Sequence, residues 1–255
     1  MSVWKVKQEW MQKTVVVWFG ALLCCLLWGS AFPCIKIGYR LFEVDAADTA
    51  SQILFAGCRF TLAGVLAAGI GSVMEGCFLR PERKAAKEII WLSLLQTIIQ
   101  YFFFYMGLAH TSGVKASIIE AVNVFIAILV AGFLFHQEKI TSRKITGCIL
   151  GFAGVVLINL NGMNFQFSLA GEGAIFFSTI AYAFSSVFVK KFSQKFNPVM
   201  LSAYQFIIGG IVLMAAGGVM GGHITKVTLS GIGLLVYLAL VSAVAYSLWG
   251  HSSEI

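Results

Sequence analysis

Charge is what this sequence has least of. Only 11% of its 255 residues are Asp, Glu, Lys or Arg, against roughly 25% in a soluble domain. That leaves too little polar surface to face water. The stretches between its apolar runs are brief, so no soluble domain fits among them. Catalytic signatures are missing as well. There is no HExxH helix, and His136-Gln137-Glu138 lacks the second histidine that zinc would need. The remaining histidines (His110, His223, His251) are scattered. Nucleophile elbow, phosphate loop and Asp-rich cluster are all absent, which argues against an ATP-driven pump, an intramembrane hydrolase, and any bound metal or cofactor. Cys24, Cys25, Cys34, Cys58, Cys77 and Cys148 form no CxxC pair and read as small packing residues. No small-x-small cleavage site follows the first apolar run, so that run is retained as a helix.

What is present is hydrocarbon. Hydrophobic residues make up 59% of the chain, and its mean hydropathy is +0.87. Apolar stretches long enough to cross a ~30 Å hydrocarbon layer recur along it. Eight segments are expected: Thr14–Ile35, Ile53–Val73, Ile89–Ala109, Val114–Phe135, Ile145–Leu160, Gly173–Val189, Val199–Met220 and Val227–Trp249. The fold class is therefore an all-α membrane protein, a polytopic helical bundle.

The net charge of +7 belongs to topology and not to a nucleic-acid surface. With eight spans, 13 of the 18 basic residues fall on one side: three before span one, four after span two, three after span four and three after span six. Lys36, Arg40, Lys115 and Lys226 fall on the other, and Arg59 lies within span two. Positive charge stays cytoplasmic during insertion, so the N-terminus is expected inside.

An internal repeat is visible. Arg59-Phe60 precedes Gly64 in span two, as Gln205-Phe206 precedes Gly210 in span seven. Trp28 precedes Lys36 by eight residues, as Tyr182 precedes Lys190. Span seven then repeats span two, and span six repeats span one. A unit of five helices is odd, so its second copy must enter the membrane inverted.

Several stretches carry a family likeness: Leu27-Trp28-Gly29-Ser30-Ala31-Phe32-Pro33, Cys58-Arg59-Phe60, Gly107-Leu108-Ala109-His110-Thr111-Ser112, Gln137-Glu138-Lys139-Ile140-Thr141 and Ala245-Tyr246-Ser247-Leu248-Trp249. In order and spacing the chain resembles the EamA-type branch of the drug/metabolite transporter superfamily. The resemblance implies two inverted five-helix repeats around a central pathway, at residues 14–161 and 171–250. It also implies secondary, gradient-driven, alternating-access transport of small metabolites or amphipathic compounds in a bacterial cell membrane. Two features depart from the family pattern. Asn123 stands in mid span four, where proline is common, and the family's ten spans exceed the eight here, so the second repeat reads as incomplete. A truncated, non-transporting fragment is the alternative reading.

Polar groups in hydrocarbon are costly and mark candidate pathways. Arg59 lies about 10 Å below the outer end of span two at 1.5 Å per residue, and Glu120 lies at similar depth in span four. The two are expected to pair or to share an aqueous cavity. The competing reading is that Arg59 snorkels outward and Glu120 packs against it as a fold-fixing ion pair. Glu120 is the candidate coupling-proton site. Ser117, Glu120 and Asn123 form one seam of span four, Gln96 and Gln100 sit a turn apart on span three, and Tyr182, Gln205 and Tyr246 lie on spans six to eight. Together with Trp28, beside a kink expected at Pro33, they would line a mixed polar and apolar cavity. Interhelical glue is the competing explanation for each alone. Gly147, Gly151 and Gly154 are expected to serve close helix packing. The expected partners are the bilayer, a small solute and protons or another coupling ion, with no nucleic acid; a homo-oligomer stays open.

Overall fold

The computed structural model describes residues 14–45, 47–135, 141–159 and 168–252, all of its regular structure helical. The N-terminal lysines and the Gln137–Ile140 motif lie outside the described residues. In lipid every backbone polar group must be satisfied within its own segment, which selects helices here. They are α1 (Thr14–Leu41), α2 (Thr49–Glu75), α3 (Arg83–Leu108), α4 (Gly113–Ala121), α5 (Asn123–Leu129), α6 (Ser142–Asn159), α7 (Ala174–Ser193), α8 (Pro198–Val219) and α9 (Leu229–Ser252).

Local chemistry sets several boundaries. Asp48 caps α2 by accepting from the Ser51 amide at 3.0 Å, and Gly76, at φ 67°, closes it in a left-handed turn. Asn197 caps α8 through the amides of Val199 and Met200, with Pro198 in the first turn. Asn197 also donates to Glu75, joining that end of α8 to the end of α2. α1 continues helically through Pro33.

Among the described residues, seven helical spans are long and apolar enough to cross a membrane. The fifth expected segment is α6, an 18-residue helix outside those seven whose first turn, Ser142-Arg143-Lys144, is polar. Span four comprises α4 and α5, separated at Val122 and followed by a π-helical turn over Val130–Leu134. The Val122 amide bonds back only three residues, to Ile119 at 3.0 Å. The helix therefore tightens between Glu120 and Asn123 without a proline. α3 opens as a 3-10 turn and widens to π-helix over Ser93–Ile99, the kind of irregularity that often marks a functional segment.

The core of the bundle is the antiparallel α2–α8 pair, flanked by α3 and α9. Small residues let the two backbones touch. A Cβ on Gly64 would come within 2.5 Å of the Ala203 carbonyl oxygen and 2.7 Å of the Ile207 nitrogen. A Cβ on Gly210 would meet the Gly57 oxygen at 2.9 Å and collide with the Thr61 nitrogen. Adding 146 to 57, 61 and 64 gives 203, 207 and 210, so the two contacts are equivalents related by that offset. The surrounding packing repeats in the same sense. α1 packs on α9 as α7 packs on α3.

The glycines of α6 behave differently from expectation. A Cβ on Gly147, Gly151 or Gly154 would meet nothing within 4 Å. They make no close helix contact among the described residues, because α6 sits at the edge of the bundle and touches its neighbours through side chains such as Phe152, edge-on to Phe125.

Candidate functional site

The α2–α8 crossing carries polar groups as well as glycines. Arg59 of α2 is 4% exposed and donates from Nη2 to Ser242 Oγ of α9 at 2.9 Å. Gln205 of α8, 1% exposed, donates from Nε2 to Gln96 Oε1 in the widened turn of α3 at 2.7 Å. The offset of 146 takes Arg59 to Gln205 and Gln96 to Ser242. The two interhelical hydrogen bonds are thus equivalents, one built on a cation and the other on a neutral amide.

Between them lies an aromatic cluster. Phe60 and Phe206, also 146 positions apart, stack with centroids 5.3 Å apart. Phe60 contacts Tyr101 of α3 at 4.3 Å, and Phe206 meets Tyr246 of α9 edge-on at 4.9 Å. The Tyr101 and Tyr246 hydroxyls join at 3.2 Å, and Trp28 stands edge-on to Tyr246 at 5.7 Å. Tyr182 on α7 is within electrostatic reach of Tyr101 and Glu120.

Of the residues expected from sequence to line a pathway, Trp28, Arg59, Gln96, Gln205 and Tyr246 meet around the α2–α8 crossing. Gln100 is buried nearby, its Oε1 without a partner. Tyr182 stands on α7, and span four holds the remaining three. Ser117 and Glu120 are half-buried on α4, and Asn123 heads α5 with an unpartnered Oδ1. The Arg59–Glu120 ion pair does not form: the described ion pairs are Lys115–Glu172 and Lys226–Glu43, and the Arg59 guanidinium turns to α9 instead. Nor does Arg59 snorkel, since its side chain is enclosed by protein. Tyr39, Tyr101, Tyr105 and Phe206 join the site without having been expected there. A readable signal did exist for Tyr101 and Tyr105, two hydroxyls one turn apart in an otherwise apolar run.

A second polar cluster closes one end. Glu172, 6% exposed, accepts from Lys115 Nζ at 2.8 Å, Thr111 Oγ1 at 2.6 Å and the Ser168 amide at 2.6 Å. It ties the start of span four to the turn preceding α7.

Comparison with known proteins agrees with this architecture. The model of the EamA-like transporter family matches residues 16–160 and again 169–252. This chain belongs to the EamA-like transporter family. It is 30% identical over 197 residues to an uncharacterized transporter of Archaeoglobus fulgidus, covering 77% of this chain and 65% of that one. A second transporter from that organism is 30% identical over 236 residues, 90% of this chain and 77% of its own. A chloroplastic WAT1-related protein of Arabidopsis thaliana is 25% identical over 252 residues, 94% of this chain and 58% of its own. The chain thus spans 58–77% of the length of these relatives. A crystal structure with 16% identity superposes with a TM-score of 0.71 over 94% of this chain and 79% of its own, a likeness of fold. The EamA chain is an integral membrane protein of a transporter family.

Proposed function

We propose that this EamA chain is a secondary transporter for small amphipathic solutes, working by alternating access between two inverted repeats at residues 14–161 and 171–250. The observation that carries the reading is the pair of equivalent hydrogen bonds, Arg59–Ser242 and Gln205–Gln96, across a two-fold-like helix crossing. Two repeats of similar structure can exchange conformations at similar free energy, which is what rocking about a fixed central site requires. The aromatic cluster and the unpartnered polar atoms of Gln100, Gln205 and Asn123 supply the mixed lining that suits an amphipathic solute.

Glu120 is the proposed coupling site. It is an intramembrane carboxylic acid beside the break at Val122, where the helix is least regular, and it has Tyr101 and Tyr182 within electrostatic reach. The charge distribution supports a cytoplasmic N-terminus.

The test is flux through proteoliposomes. Vesicles holding the purified chain are given a defined mixture of amino acids, organic acids, nucleosides and aromatic amines under an imposed pH gradient, and their contents are read by mass spectrometry. At least one solute is expected to accumulate chemically unchanged, and Glu120→Gln is expected to abolish dependence on the gradient. If no solute enters faster than into protein-free vesicles, the transport reading fails. A Glu120→Gln variant that keeps its pH dependence removes the coupling role.

A further inference from the structure

Arg59 is a permanent cation, since guanidinium does not lose its proton in proteins. Its side chain is enclosed, and among the described residues no carboxylate pairs with it. One hydrogen bond, to Ser242, serves its five N–H donors, and the ring of Phe60 lies 5.1 Å from its central carbon. Nε has no partner. The Tyr39 and Tyr105 hydroxyls are also buried without one. Tyr105 approaches both Tyr39 and the guanidinium but makes a well-formed hydrogen bond to neither. Three unused donors thus gather at one buried positive charge.

The architecture does not need that charge. At the equivalent position Gln205 spans the same helix crossing with a neutral amide and finds its partner in Gln96. A buried cation left uncompensated is costly, and a fold satisfied by glutamine at one site gains nothing structural from arginine at the other. The surplus donors and charge match an oxyanion, which a guanidinium fork accepts in bidentate geometry.

We infer that Arg59, with the Tyr39 and Tyr105 hydroxyls, forms the binding site for the carboxylate of a monoanionic solute whose apolar body lies against the Phe60–Phe206–Tyr101 cluster. The charge selects the anion. One cation balances one carboxylate, whereas a phosphate dianion would leave a net negative charge in low dielectric. This assignment rests on the transport reading and names its substrate class.

The test uses matched solutes with the purified full chain: benzoate, 3-phenylpropionate and 4-methylpentanoate, their neutral amides, and phenyl phosphate. Binding is followed by thermal shift and passage by proteoliposome flux. The carboxylates are expected to bind and cross in preference to the amides and to phenyl phosphate. Arg59→Gln, which copies Gln205, should weaken carboxylate binding about tenfold to a hundredfold, the loss expected for charge-assisted hydrogen bonds, and so shrink the preference for carboxylate over amide. Arg59→Lys should retain part of the carboxylate preference, and its charge controls for any folding defect in Arg59→Gln. Amides that bind and cross as well as the carboxylates overturn the anion site while leaving the transport reading intact. The anion site is equally overturned if Arg59→Gln keeps the preference, or if phenyl phosphate binds best. If no member of the panel binds or crosses, the anion assignment falls, and the transport reading is then judged by the broader solute mixture.

Discussion

The α2–α8 crossing makes a quantitative prediction about single methyl groups. A Cβ on Gly64 would stand 2.5 Å from the Ala203 carbonyl oxygen, where ordinary contact begins at 3.4 Å. Gly64→Ala must therefore push the helices apart by about 0.9 Å, and because the obstacle is backbone, no side-chain rotation relieves it. A gap of 0.5–1 Å forfeits roughly a quarter to a half of each van der Waals contact, worth about 0.1–0.2 kcal/mol apiece. Over the few tens of atom pairs in such a crossing the loss is about 1–3 kcal/mol. Gly210→Ala should cost a similar amount, because it meets the equivalent backbone atoms. Gly69 lies on the same helix as Gly64, yet a Cβ there meets nothing within 4 Å. Gly69→Ala should be neutral, or stabilising by up to about 1 kcal/mol through helix propensity. Reversible unfolding of the three purified variants measures the contrast. The reasoning is refuted if Gly64→Ala or Gly210→Ala unfolds within about 0.3 kcal/mol of the parent, or if Gly69→Ala loses as much as they do.

Two further outcomes are expected. Lys115→Met removes the cation from Glu172, whose side chain is 7% exposed, and should cost about 2–4 kcal/mol; Lys115→Met with Glu172→Leu should recover part of that loss in a double-mutant cycle, and additive losses would deny the coupling. Asp48 is held below its ordinary value of 3.8 by the Ser51 hydroxyl and amide, so its cap contributes in full above about pH 4 and fades as the pH falls through that lowered value. Asp48→Ala should then be less stable by about 1 kcal/mol at neutral pH, with the difference shrinking below pH 4 in pH-dependent unfolding; a difference that widens on acidification would show the cap assigned the wrong sign.

Membrane embedding, helical class and family were legible in the residues, because they depend on quantities local in sequence: apolar run length, scarcity of charge and the order of short motifs. The matching places of Arg59-Phe60 and Gln205-Phe206 in their helices were legible for a similar reason. The partners of those residues were not. Helical periodicity places Arg59 and Glu120 at similar depth on their own spans, which suggested an ion pair, but it says nothing about how each helix is rotated against its neighbours. That rotation follows from close packing at Gly57, Gly64 and Gly210, and it turns Arg59 to Ser242 and Gln205 to Gln96. Gly147, Gly151 and Gly154, although their spacing looks alike, meet nothing within 4 Å among the described residues. Sequence alone determined what the chain dissolves in and which lineage it comes from. Tertiary structure decided which buried donors find acceptors and which, at Arg59, Tyr39 and Tyr105, are left over, because hydrogen-bond satisfaction depends on neighbours far apart in the chain.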